Sequence, residues 1–219
     1  MPVFLFAAVV VYCACMTFSS AGEFALSKQI LANVEQQHGI NARQRVTAWR
    51  NMINSNRDIS DFEKLRKVNN FFNQMEFVND IDHWGAEDYW ATPLQMLSSN
   101  GGDCEDFSIA KYFTLRELGI PAKRMRLTYV KALKLNQAHM VLTYYPEPDA
   151  DPLILDNLNN EISSATERDD LLPVYSFNSK GLWLAKSRGV NERVGRSEQL
   201  GHWQAVLARL DSEQVPLSR

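Results

Sequence analysis

Apolar positions three or four residues apart predict helices in the first third of the chain that follows residue 21. One apolar stripe ends at Gly39, and a later one begins at Ser60 or Asp61, either of which can cap a helix. The stripes contain Ile30, Leu31 and Val34, then Val46, Trp49 and Ile53, then Phe62, Leu65, Val68 and Phe72. Residues 76–92 follow with many aromatic side chains and no period. We therefore predict an irregular loop there, and such loops inside domains are often functional.

A short helix and a long helix flank a pair of glycines. Pro93 suits the first position of a short helix that ends near Ser99. The run Asn100-Gly101-Gly102 predicts a turn. Asp103 then opens the strongest helix, which Gly119 and Pro121 stop. The apolar stripe of this helix contains Phe107, Ala110, Thr114 and Leu118.

The period changes to two after residue 123, which indicates strands. Alternation over 124–129, 139–144 and 153–156 predicts three of them, and residues 178–181 predict a hairpin turn between 174–177 and 182–184. A last amphipathic helix carries Leu200, Trp203, Leu207 and Leu210. Helices first and antiparallel strands afterwards predict an α+β fold.

Composition and charge narrow the function classes. The 219 residues are 45% hydrophobic and 22% charged, and the formal net charge is −3. This composition is typical of a globular protein, and the length suits one domain, which we place at residues 22–219. A slightly acidic chain without a basic patch argues against a nucleic-acid binder.

The N-terminal segment predicts export. Residues 4–16 are almost all apolar, and no Lys, Arg, Asp or Glu precedes Glu23. This run is too short for a spanning helix, and Ser19-Ser20-Ala21 offers the small residues of a signal-peptidase site. We interpret residues 1–21 as a cleaved signal peptide. Because the usual basic residue is missing, a retained anchor or a start further upstream is the alternative.

Cleavage would leave a single cysteine. Cys13 and Cys15 lie inside the apolar run, so the mature chain would keep only Cys104. A lone thiol in an exported protein cannot form an internal disulfide. It is either buried and inert or a reactive group.

Cys104 has the local setting of a nucleophile. Two glycines precede it, and it begins a helix whose N-terminal partial charge favours the thiolate. His139 begins one strand and Asp156 ends the next, so the three can form a catalytic triad in which Asp156 orients the imidazole. The alternatives are a small buried thiol, a structural histidine, and an aspartate in an Asx-turn with Asn157.

Three carboxylates beside the thiol present an electrostatic problem, because negative charge disfavours a thiolate. Asp103, Glu105 and Asp106 can act as helix-capping groups that face the helix dipole. They can instead bind calcium, which takes several oxygen ligands. The 76–92 loop offers further carboxylates in Asp80, Asp82 and Asp88.

These residues together resemble a known family. The segments are 100–107 (NGGDCEDF), 139–142 (HMVL) and 155–157 (LDN), with Trp84-Gly85 and 88–93 (DYWATP) upstream. They resemble the bacterial transglutaminase-like cysteine proteinases of the LapG type, over roughly residues 25–210. The combination is specific, whereas Gly-Asp-Cys alone is not.

The resemblance implies a papain-like fold of the transglutaminase type. It implies that Cys104, His139 and Asp156 are the triad, and that Asp103, Glu105 and Asp106 match the acidic calcium-binding run of the family. It also implies calcium-dependent proteolysis in the periplasm. The expected substrate is a large surface adhesin, cut near its N-terminal region so that biofilm disperses. The expected inhibitory partner is an inner-membrane receptor for cyclic di-GMP.

Two other functions use the same residues or the same fold. A triad of this kind can catalyse transamidation, in which an amine rather than water accepts the acyl group. A binding module can keep the fold without activity. For hydrolysis, the backbone N–H of Cys104 is a candidate oxyanion donor, and the region of Trp90 is a candidate for the second.

Overall fold

Helices occupy the first part of the chain and a sheet the second. The computed structural model describes residues 23–148, 150–186 and 190–218, so the predicted signal peptide lies outside the described residues. The helices are α1 (Lys28–Ser55), α2 (Asp61–Phe72), α3 (Asp80–His83), α4 (Pro93–Ser99), α5 (Cys104–Glu117) and α6 (Gly201–Glu213). The predicted α+β class, with helices before an antiparallel sheet, is confirmed.

Nine strands form two sheets within the described ranges. They are β1 (Glu76–Phe77), β2 (Gly101–Gly102), β3 (Met125–Ala132), β4 (Gln137–Tyr144), β5 (Leu153–Leu155), β6 (Ser163–Ser164), β7 (Leu171–Asn178), β8 (Gly181–Lys186) and β9 (Val190–Gly195). The larger sheet has the order β6-β5-β4-β3-β7-β8-β9. Its neighbouring strands are antiparallel throughout, so most of its connections are short.

The N-terminal helices begin and end where the sequence predicts. Ser60 caps α2, and its side chain and that of Glu63 form a capping box. Gly39 interrupts α1 with a φ of 83°, a conformation that glycine adopts without steric cost. Trp49 of α1 is fully buried, and its Nε1 donates to Thr114 Oγ1 of α5 at 2.9 Å. This contact fixes α1 against the helix that carries the candidate nucleophile.

Helix α5 packs against β4 in the centre of the fold. Met140 and Leu142 of β4 belong to the main core together with Phe107 and Phe113 of α5. Ser108 Oγ of α5 donates to the Met140 carbonyl at 3.0 Å. Because α5 and β4 are buried against each other, the start of the helix lies at the level of residues 139–140.

The segment before α5 differs from the prediction. A turn was predicted at 100–102, but only Asn100 turns, with a φ of 69°, and Gly101–Gly102 form β2. This strand pairs in parallel with β1, which lies in the stretch predicted to be irregular. Two-residue strands carry too little periodicity to be recognised from the sequence. No helix among the described residues has the length and apolar character needed to cross a membrane.

Candidate active site

Cys104 is the first residue of α5 and is partly exposed. Asp103 caps the helix by accepting a hydrogen bond from the Glu105 N–H at 3.2 Å, as the sequence predicts. The residue before the cap has no room for a side chain: a Cβ on Gly102 would lie 2.2 Å from Asp106 Oδ2. The glycine therefore permits a close approach of β2 to the first turn of α5.

The thiol of Cys104 contacts a carboxylate. Its Sγ donates to Glu105 Oε2 at 2.8 Å, while the Tyr129 hydroxyl donates to Glu105 Oε1 at 2.8 Å. Burial and the charges of Glu105 and Asp103 raise the pKa of the Cys104 thiol, against a smaller opposing effect of the Met140 N–H. Without added positive charge, the arrangement favours the thiol over the thiolate.

His139 and Asp156 form a buried pair. His139 Nε2 lies 2.8 Å from Asp156 Oδ1, and the side chains are 2% and 0% exposed. Burial opposes ionisation of Asp156, but the hydrogen bond and charge of His139, with the hydrogen bonds from the Leu158 N–H and Arg168, outweigh it and bring its pKa to about 2. Since an ionised carboxylate only accepts, we assign the imidazole proton to Nε2, which leaves Nδ1 for another partner.

The structure brings the three predicted residues to one place. Met140, whose N–H lies against the Cys104 sulfur, directly follows His139 in β4. Among the described residues there is no hydrogen bond between Cys104 and His139 themselves. Asp156 Oδ1 also accepts from the Leu158 N–H at 2.9 Å, so the Asx-type turn weighed as an alternative exists alongside the histidine contact.

One further residue at the pair was missed in the sequence. Arg168 Nη2 donates to Asp156 Oδ2 at 2.8 Å, and its side chain is 7% exposed. Arg168 follows a single 3₁₀ turn, Ala165–Glu167, ahead of β7. Neither spacing nor hydrophobic pattern links this turn to the triad, since the contact between Arg168 and Asp156 forms only in the tertiary structure.

Three carboxylates cluster on the other side of Cys104. One oxygen from each of Asp80, Asp103 and Asp106 lies within 4.8 Å of the others. Burial, followed by the charges of neighbouring carboxylates, raises the pKa of Asp103 to about 9. Burial likewise raises the pKa of Asp106 to about 8, against the hydrogen bond from Ala91. A bound cation would favour the ionised forms of such a group of like charges.

The same carboxylates hold the 80–91 loop against α5. Asp106 Oδ1 accepts from the Ala91 N–H at 2.5 Å, and Oδ2 accepts from Trp84 Nε1 at 3.4 Å. Asp80 Oδ2 accepts from the Tyr89 N–H at 2.5 Å. The aromatic loop that the sequence singled out therefore covers the N-terminus of the nucleophile helix.

The cluster fits a hard cation. It offers only oxygen ligands, as calcium prefers, and Asp80 Oδ1 is buried without a hydrogen-bond partner among the described residues. The predicted ligands Asp103 and Asp106 are in this cluster, whereas Glu105 lies in a second group with Asp103 and Cys104. Of the loop candidates, Asp80 joins the cluster. Neither group includes Asp82 or Asp88, and Asp88 instead lies 3.5 Å from His202 Nε2.

Comparison with known proteins identifies the family. The sequence model of the bacterial transglutaminase-like cysteine proteinases (BTLCP) matches residues 38–185. The chain belongs to this family. Its members are cysteine proteinases, so the chain is a cysteine peptidase, and the transglutaminase-like fold expected from the sequence is confirmed. A comparison with curated protein sequences finds no match.

Two solved structures of one similar protein agree with the assignment to this family. The EGTA-treated form of Legionella pneumophila LapG is 46% identical, with a TM-score of 0.74, over 83% of this chain and 96% of that chain. The calcium-bound form of Legionella pneumophila LapG is 45% identical, with a TM-score of 0.72, over 84% of this chain and 99% of that chain. The similarity extends over nearly the whole length of the relative.

Proposed function

We propose that this cysteine peptidase is a calcium-dependent endopeptidase with a triad of Cys104, His139 and Asp156. The observation that carries the proposal is the buried His139–Asp156 pair beside the thiol at the N-terminus of α5. A carboxylate on Nε2 fixes the tautomer and orientation of the imidazole and stabilises its protonated form. A paired imidazole near a thiol supplies both the nucleophile and the acid that peptide hydrolysis needs.

The reaction proceeds through an acyl-enzyme. His139 takes the thiol proton, Cys104 Sγ attacks the scissile carbonyl, and a thioester forms as the C–N bond breaks. The imidazolium gives its proton to the leaving amine. Water, deprotonated by His139, then hydrolyses the thioester and restores the thiol. Asp156 remains ionised throughout, in agreement with its low pKa.

Two donors are candidates for stabilising the oxyanion. The Cys104 N–H lies at the free N-terminus of α5, where backbone donors are available. Trp90 Nε1 is buried without a hydrogen-bond partner in the described part of the chain, although the indole ring stacks on Phe177 at 5.6 Å. This unpartnered indole N–H keeps the Trp90 region as the second candidate donor.

Asp103, Glu105 and Asp106, together with Asp80 of the loop, would hold the calcium ion. A calcium-bound structure of the relative LapG supports calcium binding by this chain. When bound, calcium supplies positive charge that offsets the carboxylates beside the thiol. Glu105 also contacts the nucleophile, because its two oxygens accept from Cys104 and Tyr129. These hydrogen bonds hold its carboxylate against the thiol.

The substrate and the location extend this proposal. We infer that the chain acts in the periplasm on the N-terminal region of a large surface adhesin, so that cleavage releases the adhesin and disperses biofilm. An inner-membrane cyclic di-GMP receptor is the proposed inhibitory partner. The signal-like residues 1–21 and the LapG-type motifs support this part of the proposal.

Incubation with an N-terminal adhesin fragment tests the function. With calcium, mass spectrometry is expected to find two fragments whose masses sum to the substrate plus one water, and EGTA is expected to abolish them. A primary amine is added to the same reaction to detect transamidation. A conjugate carrying that amine in place of the hydrolysis products would favour the acyltransferase alternative. Activity indifferent to EGTA would contradict the role of calcium.

A further inference from the structure

The Asp156 carboxylate is held on both sides. Oδ1 accepts from His139 Nε2 and from the Leu158 N–H, whereas Oδ2 accepts from Arg168 Nη2 at 2.8 Å and from no other described donor. The terminal torsion of an aspartate is soft, so its carboxylate plane is set by its hydrogen bonds. Removal of the Arg168 side chain would leave a fully buried oxygen unpaired and the carboxylate free to turn away from His139.

Arg168 is itself fixed by a second carboxylate. Its Nε donates to Asp170 Oδ1 at 2.8 Å and its Nη2 to Asp170 Oδ2 at 3.0 Å. The Asp170 carbonyl accepts from the Leu133 N–H at 2.8 Å, which joins this turn to the end of β3. The donors of a planar guanidinium have fixed directions toward the two carboxylates, whereas the three donors of a lysine ammonium can rotate.

The positive charge that Arg168 brings to Asp156 is offset by a second carboxylate. Arg168 contributes a positive charge that by itself would weaken the attraction of Asp156 for a protonated His139. Asp170 offsets that charge. The buried Lys111 of α5 also interacts with Asp156: burial lowers the pKa of Lys111, the Asp156 carboxylate opposes this, and the resulting pKa is about 7. His139, Arg168 and Lys111 thus act on Asp156, and Asp170 acts through Arg168.

We propose that Arg168, held by Asp170, is the positioning residue of the triad and keeps Asp156 Oδ1 aligned with His139. This inference rests on the proposed triad. The hydrogen bonds of the Arg168 side chain go to Asp156 and Asp170 and not to Cys104, so Arg168 acts through Asp156. Its removal is expected to weaken the formation of the thiolate–imidazolium pair rather than to change substrate contacts.

A cavity next to Arg168 makes the inference testable by rescue. The cavity has a volume of about 370 Å³, and Leu135, Leu158 and Asn159 line it together with Arg168. Truncation in Arg168→Ala would extend this space toward Asp156. Guanidinium ion from solution could then occupy the vacated position and donate to Oδ2.

The experiment measures alkylation of Cys104 by iodoacetamide across pH in the calcium-loaded protein, with peptide mass spectrometry as the readout. In Arg168→Ala, the rate near pH 6.5 is expected to fall about 10- to 100-fold, since misplacing a catalytic group by about 1 Å has effects of that size. Millimolar guanidinium chloride is expected to restore most of the rate, whereas the same concentration of sodium chloride is not. A misfolded protein would show no such selective rescue.

Arg57→Ala is the matched control. Arg57 Nη2 also forms a partly buried ion pair, with Glu117 Oε1 at 2.9 Å, at the far end of α5. Its truncation removes a comparable contact about 20 Å along the helix from Cys104 and is expected to leave the alkylation profile unchanged.

A third variant, Asp156→Ala, separates a failure of the role proposed for Arg168 from a failure of the proposed triad. Slow alkylation in Asp156→Ala with a wild-type profile in Arg168→Ala would overturn the role of Arg168 alone. Wild-type alkylation in both would overturn the triad as well.

Discussion

The close approach of Gly102 to Asp106 makes a sharp prediction for Gly102→Ala. The new Cβ would lie 2.2 Å from Asp106 Oδ2 and 2.7 Å from Asp106 Cβ, closer than atoms in folded proteins come. The Asp106 side chain or the β2 backbone must therefore move. Either movement breaks the hydrogen bonds by which Asp106 holds the 80–91 loop.

The magnitude follows from the two hydrogen bonds that Asp106 would no longer accept. Asp106 is fully buried, and its donors are the Ala91 N–H and Trp84 Nε1. Leaving a buried donor unpaired costs about 1–3 kcal/mol, so we expect the free energy of unfolding to fall by about 2–4 kcal/mol. For a chain of this size the melting temperature should fall by about 5–15 °C.

Calcium binding should weaken together with stability. A ligand at about 100 times its dissociation constant stabilises a protein by about 2.7 kcal/mol, which should raise the melting temperature of the unaltered protein by about 5–10 °C. Since Gly102→Ala displaces a proposed ligand, this rise is expected to be largely abolished. Thermal melts with calcium and with EGTA measure both effects.

Two further variants attribute the effect to Asp106. Gly201→Ala is the matched control, because a Cβ there meets nothing within 4 Å and the residue begins α6. It should be neutral or slightly stabilising. In an Asp106→Gly background, Gly102→Ala should cost less than about 1 kcal/mol, because the clashing Oδ2, Cγ and Cβ atoms of Asp106 are all gone. If Gly102→Ala kept the melting temperature and calcium response of the unaltered chain, a side chain at position 102 would not displace Asp106.

Other side chains give independent tests. The pKa of Asp156, about 2 against an ordinary 3.8, means that its ionised form stabilises the fold above pH 4 and that this contribution is lost as pH falls toward 2. Denaturant unfolding of Asp156→Asn should therefore show a deficit of about 2 kcal/mol at pH 7 that shrinks near pH 2; a deficit independent of pH would contradict this. Thr92 Oγ1 caps α4 and donates to Glu213 Oε1 of α6 at 2.6 Å. Thr92→Val should therefore lower the free energy of unfolding by about 1–3 kcal/mol in thermal melts. An unchanged melting temperature would contradict a stabilising role for these two hydrogen bonds. Trp84→Phe removes one donor to Asp106 and should weaken calcium affinity in a titration by less than tenfold, since that bond is long at 3.4 Å; abolished binding would contradict a supporting role.

The sequence predicted the elements that have a strong local signal. Ser60 and Asp103 are helix caps at the predicted positions, and Pro93–Ser99 is the predicted short helix. Such signals depend on residues within one turn of each other. The period-two segments located β3, β4 and β5 for the same reason, whereas the two-residue strands β1, β2 and β6 carry no period.

Residues of the site could be predicted only where their position at the start or end of a helix or strand is recognisable in the sequence. Cys104 and His139 were found from a helix start and a strand start. Arg168 was missed because its contact with Asp156 depends on tertiary structure. The acidic run was recognised, but the different contacts of its members were not. Neighbouring helix positions point in different directions, so Asp106 lies beside Asp80 whereas Glu105 contacts the thiol.

The role of Cys104 as the nucleophile is tested most directly by comparing the unaltered protein with Cys104→Ala. Both are incubated with the adhesin fragment in the presence of calcium. Intact-mass spectrometry follows the products, and thermal melting confirms that the variant is folded. If Cys104 is the nucleophile, the unaltered protein hydrolyses the fragment and the folded Cys104→Ala variant does not. Cleavage at the same bond by folded Cys104→Ala would show that another group is the nucleophile.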